Sequence, residues 1–90
     1  MKKLVNVTEV EGEGLVKLLG ERVILFCLNY IYTGELVGVN THDALLKDGH
    51  IVYETGAFSD SKFKDAQRVA DELYIRTSAI ESYSVTPKKI

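Results

Sequence analysis

Apolar positions along the chain fall into short runs divided by polar stretches, and their spacing predicts strands. Arg22 to Leu28, RVILFCL, is nearly all apolar, too short for an independent helix and rich in β-branched and aromatic residues, which predicts a central strand. Asn29 supplies the turn before the pattern resumes. Ile31 to Val39 predicts a second strand, and Gly34 and Gly38 inside it mark a sharp bend or a close backbone approach. The polar tetrapeptide Asn40-Thr41-His42-Asp43 then reads as a tight surface loop. Ala44 to Lys47 and His50 to Thr55 follow. Between them Asp48-Gly49 fits a hairpin turn or a bend in one long strand, and the dipeptide taken alone favours the turn. Near the C-terminus, Asp71 to Val85 reads DELYIRTSAIESYSV, with Leu73, Ile75, Ile80, Tyr83 and Val85 set among polar neighbours. This predicts two short strands joined by a tight connection at Arg76, Thr77 and Ser78, with a solvent-facing arginine. Pro87 cannot donate to a ladder and ends the second strand.

Two segments read differently. Thr8 with Glu11 fits a capping box, and Val10, Leu15, Leu18 and Leu19 share one helical face that Gly20 terminates. Gly12 and Gly14 each cost about 1 kcal/mol in a helix, so the expected element is a short helix that lids the sheet. Ahead of it, Met1 to Val7 fits a disordered start or an extra edge strand. Gly56 to Asp71 suits a short helix or a structured excursion, with Phe63, Ala66 and Ala70 at helical intervals. Its Lys62, Lys64 and Arg68 are diluted by Asp60 and Asp65 and read as a solvated face.

Composition narrows the function. Ninety residues make one domain, 1–90, with a modest core that oligomerisation would supplement. No apolar run approaches the roughly 18 to 20 residues of a membrane span, and no signal-peptide core follows the first lysines, so a cytoplasmic protein without membrane contact is expected. The lone Cys27 sits in an apolar run and reads as a core thiol. A net charge of −2 argues against a broad phosphate-binding surface, so any nucleic-acid site is local. No nucleophile with a partnered base, no paired carboxylates and no phosphate cradle point to an enzyme. His42, His50, Asp43 and Asp48 lack metal-ligand spacing, so neither metal nor cofactor is expected, and His50 reads as a half-exposed strand residue.

The order Ile75, Arg76, two small residues, Ile80 and Tyr83 resembles the second Sm motif of the Sm and LSm RNA-binding proteins, usually written around Ile-Arg-Gly, with Thr77 at the glycine place. Gly34-Glu35-Leu36-Val37-Gly38-Val39-Asn40 resembles the first half of the first Sm motif, with Asn40 where the family commonly has Asp. The second half departs. With a loop one residue shorter than usual, His42 takes the Met place, Asp43 the Asn place and Leu46 a core position. Without that deletion His42 falls on a base-stacking position, but Lys47 points into the core, so the shorter loop is preferred. The resemblance spans about Thr8 to Val85, excluding Gly56 to Asp71. It implies a mainly β, Sm-like (SH3-like) fold: a five-stranded bent antiparallel barrel with a short N-terminal α-helix.

What the resemblance implies for function follows residue by residue. His42 becomes the stacking platform for a base and Arg76 the opposing guanidinium plane. Asn40 and Asp43 become contacts to the base edge, Thr41 lies at the mouth, and Thr77 and Ser78 are nearby donors. Stacking faces with amides or carboxylates at base edges are what single-stranded nucleic acid requires. A side chain at Thr77 must avoid positive φ or accept strain. Family members pair strand 4 of one subunit with strand 5 of the next, so a homo-oligomeric ring of about five to seven subunits is implied, binding single-stranded RNA or DNA. Plainer readings stand beside these. Asn40 to Asp43 can be an Asx-type turn, Arg76 can pair with Glu72 or Glu81 of a neighbour, and most of the five tyrosines can serve core or interface. A ring used only as a structural or protein-interaction module, or a monomeric barrel binding a peptide, are the competing functions.

Overall fold

The computed structural model describes residues 12–90. Five antiparallel strands form one sheet: β1 (Arg22–Cys27), β2 (Ile31–Val39), β3 (Asp43–Glu54), β4 (Asp65–Arg76) and β5 (Ile80–Val85), in the order β4-β3-β2-β1-β5. The two edge strands, β4 and β5, are consecutive in sequence and joined only by the 3-10 turn Thr77–Ala79. Laid flat, five strands spaced about 4.8 Å apart would hold those edges about 19 Å from each other. The chain from Arg76 to Ile80 reaches about 14 Å at full extension. The sheet therefore has to curl until its edges meet at the turn.

Local irregularities supply the curl. The ladders shift register at Phe26/Cys27, Thr33/Glu35, Leu36/Gly38 and Gly49/His50, and each such bulge bends its strand. Gly34 allows the close approach its position suggests, since a Cβ there would lie 2.9 Å from the Lys47 carbonyl oxygen and 3.1 Å from Leu46 Cβ. Gly49 is tighter, with Leu73 Cβ 2.6 Å from where its own Cβ would be. Asp48-Gly49 is thus a bend inside the single strand β3 and not the hairpin turn that the dipeptide favours in isolation. Asp48 carries the bend at φ 54°, alone among the described non-glycine residues in having a positive φ. His50 Nδ1 donates to the Asp48 carbonyl at 2.9 Å, and Arg68 Nε on β4 donates to the Asp48 carboxylate at 3.1 Å. His50 is consequently buried, where a half-exposed residue was expected, because the bend folds its ring back onto the backbone.

Inside the curl lie Val23, Leu25, Leu36, Ala44, Leu46 and Ile75, with Tyr32, Leu73 and Ile80 packed against them. Leu25, Leu36 and Leu46 are fully buried, each contributing about 1.5–3 kcal/mol. Leu46 in and Lys47 out is the arrangement that the shorter loop requires. Leu15 and Leu18 close the core from one end, as a lid should. The lid is a 3-10 helix, Gly14–Leu18, and not an α-helix. Gly12 and Gly14 sit at φ 82° and 76°, in the left-handed region where a right-handed helix cannot continue. Gly20, at φ 88°, stops the element. The capping pair Thr8 and Glu11, Val10, and the stretch Met1 to Val7 lie outside the described residues.

The opposite face of the sheet carries a second, smaller core of Ile24, Val52 and Phe63, flanked by Phe26, Ile31 and Ala66. Gly56 to Asp71 holds no helix: from Asp65 it is the first half of β4, paired with β3. Lys64 pairs with Glu54 and Arg68 with Asp48 and Asp71, so two of the three basic residues here are neutralised by neighbouring acids. The chain after Pro87 returns across this face. Lys89 N donates to Ser61 O and Phe63 N to Lys89 O, at 2.8 and 2.9 Å. Lys88 is 2% exposed, with Nζ donating to Ala57 O and Asp60 O at 2.8 Å each and lying 5.5 Å from the Phe63 ring centre. Among the described residues no helix is long and apolar enough to cross a membrane.

Two substitutions test these contacts by urea unfolding. Gly49→Ala forces Leu73 aside and is expected to cost about 1–3 kcal/mol, although alanine favours strands over glycine elsewhere. Lys88→Met keeps the stem but leaves two carbonyls without their donor, with an expected loss of about 1–3 kcal/mol. Stabilities equal to that of the parent chain would show that these contacts do not hold the fold.

Candidate nucleic-acid interface

The loop between β2 and β3 is organised by its first residue. Asn40 Oδ1 accepts from the backbone N–H of His42 at 2.9 Å and of Asp43 at 2.8 Å, and Asn40 N donates to Asp43 O at 2.9 Å. This is the Asx turn, and it leaves the Asn40 side-chain amide NH₂ as the group still able to meet a ligand. Thr41 and His42 are exposed at the tip.

The connection between β4 and β5 is fastened to that tip by Thr77. Its backbone N donates to His42 O and its Oγ1 donates to Thr41 O, both at 2.8 Å. The residue standing at the glycine place has no positive φ, so it is unstrained. Both of its donors are spent inside the chain. Thr77 therefore acts on the loop, whereas Ser78 beside it is exposed. At the other end of the same turn, Leu28 N donates to Ala79 O at 3.0 Å, so three residues tie together the β1–β2, β2–β3 and β4–β5 connections.

Strand register sets the charged pair. Asp43 and Arg76 are direct partners across β3 and β4, with Arg76 Nη1 3.9 Å from Asp43 Oδ1. The Arg76 side chain is 72% exposed and that of Asp43 29%. Such a pair is too solvated to hold the fold together, but it limits where the guanidinium rests. Within this chain the acid beside Arg76 is Asp43. Asn40, Thr41, His42, Asp43, Arg76, Thr77 and Ser78 thus share one corner. Among the described residues no three His, Cys, Asp or Glu side chains are grouped to hold a metal ion.

On the far side of Arg76 lies a cleft of about 350 Å³, lined by Cys27, Leu28, Asn29, Tyr30, Tyr32, Tyr74, Ile75, Arg76 and Ala79. Tyr30 and Tyr32 meet edge to face with ring centres 6.3 Å apart. Burial raises the Cys27 thiol pKa, and Glu81 raises it further, so the thiol is protonated at neutral pH and forms an apolar wall. Burial likewise raises the Tyr32 pKa, with smaller contributions from Cys27, Tyr30 and Tyr53. Of the five tyrosines only Tyr32 is half-buried against the core; Tyr30, Tyr53, Tyr74 and Tyr83 are exposed in the single chain. Sequence spacing gives no sign of this cleft, because Tyr74 follows Tyr30 by more than forty residues and only the curl brings them together.

No protein-family model matches the chain, and no curated protein does. Among solved structures it is similar to an Sm protein from Pyrococcus abyssii, determined in complex with a uridine heptamer. The two share 18% sequence identity at a TM-score of 0.55, over 78% of this chain and 89% of the other. At that identity the likeness speaks for architecture, and five antiparallel strands curled under a short N-terminal lid agree with it: this chain has an Sm-like fold.

Proposed function

We propose that this chain forms a homo-oligomeric ring that binds single-stranded RNA, or DNA, at the corner built by Asn40, Thr41, His42, Asp43, Arg76, Thr77 and Ser78, and serves to chaperone or process nucleic acid without performing chemistry on it. The observation that carries this reading is the joining of the two site connections, by Thr77 through hydrogen bonds and by the Asp43–Arg76 register pair. The uridine-bound Sm protein of like fold adds the class of ligand. A base enters between the His42 imidazole and the Arg76 guanidinium, while the Asp43 carboxylate and the Asn40 amide address its edge. Asp43 steadies the guanidinium, and Thr77 steadies the loop that presents His42. One cation per subunit is a small electrostatic grip in a chain of net charge −2, and a ring that repeats it would gain avidity on one strand.

Edge strands argue for the ring. β4 and β5 each leave one side of the backbone unpaired, and they expose Val69 and Tyr74 on one and Tyr83 and Val85 on the other. Pairing β4 with β5 of the next copy would satisfy both edges, and a head-to-tail contact of this kind closes into a ring of about five to seven subunits.

Two tests follow. By light scattering the particle is expected to be a dilution-independent multiple of 10.1 kDa, and by fluorescence anisotropy at low salt it is expected to bind U-rich or A-rich oligonucleotides with affinity falling as salt rises. Arg76→Ala should weaken that binding roughly tenfold to hundredfold. A mass near that of one chain would refute the ring, and a ring blind to oligonucleotides at low salt would leave a structural role in place of this one. Thr77→Val keeps the shape and removes the Oγ1 donor, so it should cost about 1 kcal/mol of stability and also weaken oligonucleotide binding, with Thr77→Ser restoring both.

A further inference from the structure

The two side chains that would address a base edge at the loop corner have opposite hydrogen-bonding chemistry. Asn40 Oδ1 already accepts the backbone N–H groups of His42 and Asp43, so turning the amide over would set its NH₂ against two donors. Asn40 therefore offers donors only. Asp43 offers acceptors only, as a carboxylate must. Its Oδ1 lies 3.9 Å from Arg76 Nη1, an ion pair outside hydrogen-bond range, and among the described residues no hydrogen-bond donor reaches either oxygen. Both oxygens are open to a ligand. The acid is also held in place: Asp43 begins β3 opposite Arg76, and its backbone N–H and C=O are both bonded to Asn40, at 2.8 and 2.9 Å.

A donor beside a pair of open acceptors is matched unequally by the four bases on their exposed Watson–Crick edges. Guanine presents the O6 acceptor followed by two neighbouring donors, N1–H and N2–H₂. Adenine and cytosine each present one donor group and one ring acceptor, which leaves one carboxylate oxygen without a partner. Uracil has the single donor N3–H between two carbonyl oxygens, so a carboxylate laid against that edge sets oxygen against oxygen.

We infer that the corner selects guanine, with the two oxygens of Asp43 accepting from N1–H and N2–H₂ and the Asn40 amide donating to O6. Asp43 is then the residue that determines specificity, and Arg76 beside it offsets the repulsion between this acid and the phosphates of the strand. The inference rests on the nucleic-acid reading above and names the base that the same site takes.

The experiment measures fluorescence anisotropy at low salt with the intact assembly. Replacing every third uridine of an oligouridylate by guanosine is expected to strengthen binding roughly fivefold to a hundredfold. Inosine at the same places keeps O6 and N1–H but lacks the N2 amine, and it is expected to lose most of that gain. Asp43→Asn removes one acceptor and adds a donor, so the guanosine strand should fall to within about threefold of plain oligouridylate. A variant that had lost only charge or stability would change its affinity for every strand alike and leave the ratio unmoved, and the inosine comparison needs no variant at all. Equal affinity of the parent for the guanosine strand and plain oligouridylate, with binding still weakened by Arg76→Ala, would overturn guanine selection and leave the loop site standing. An inosine strand as tight as the guanosine strand would overturn the two-oxygen role of Asp43. A parent that binds no oligonucleotide would end both readings together. Guanosine monophosphate binding as tightly as the strand would make the corner a site for a free nucleotide and overturn the assignment to a strand.

Discussion

The structure depends on a single geometric constraint: the two edges of a five-stranded sheet are joined by the three residues Thr77–Ala79. A flat sheet cannot meet that condition, so every bulge and close-packed glycine serves the curl. The same turn carries Thr77, whose hydrogen bonds to the carbonyls of Thr41 and His42 fix the β2–β3 loop, and Ala79, whose carbonyl receives Leu28 N–H. Closure of the fold and assembly of the candidate site are therefore one event. A side chain that loosens the turn would disturb both.

Curling a sheet this tightly has a cost, and the molecule concentrates it in β3. Asp48 accepts φ 54°, and two contacts compensate: the His50 ring on its carbonyl and Arg68 on its carboxylate. The outer face of the sheet is then covered by Phe63 and by the returning C-terminal segment, with Lys88 filling the gap as a hydrogen-bonded cation over an aromatic ring. Lys88 has carbonyls and a π face for partners instead of a carboxylate, which lets it be buried without an opposing acid. A small domain gains a second core in this way, apolar except for the buried Lys88 that closes it.

How much of this was legible in the sequence depended on the range of the interactions involved. β1 and β2 were readable because alternation and β-branched content are local, and both strands lie almost where the pattern places them. The Asn40–Asp43 loop was readable both as a polar break and as an Asx turn, and the structure realises that turn. Asp48-Gly49 misled, since its turn preference is local and its fate was decided by pairing with Ala70 and Arg68 far along the chain. The same competition turned Asp65 to Asp71 into strand despite helical spacing. The N-terminal lid was placed but not typed, because positive φ at Gly12 and Gly14 outweighs the helical pattern of the leucines. The adjacency of Arg76 to Asp43 came only through the resemblance. Lys88 and the tyrosine cleft had no local signal at all.

Charge explains why the proposed site takes the shape it does. A protein that grips polyanions through a wide cationic field needs many lysines and arginines on one face, and here the net charge is −2 and Lys17, Lys64 and Arg68 are each paired with an acid, Glu13, Glu54 and Asp48. What stands at the corner is one exposed arginine beside one aspartate, next to rings that carry no charge. Such a surface discriminates by planarity and by base edges more than by phosphate density. Affinity then has to come from repetition of the same corner around an assembly, which is why the unpaired edges of β4 and β5 matter as much to the proposed function as the residues that would touch a base.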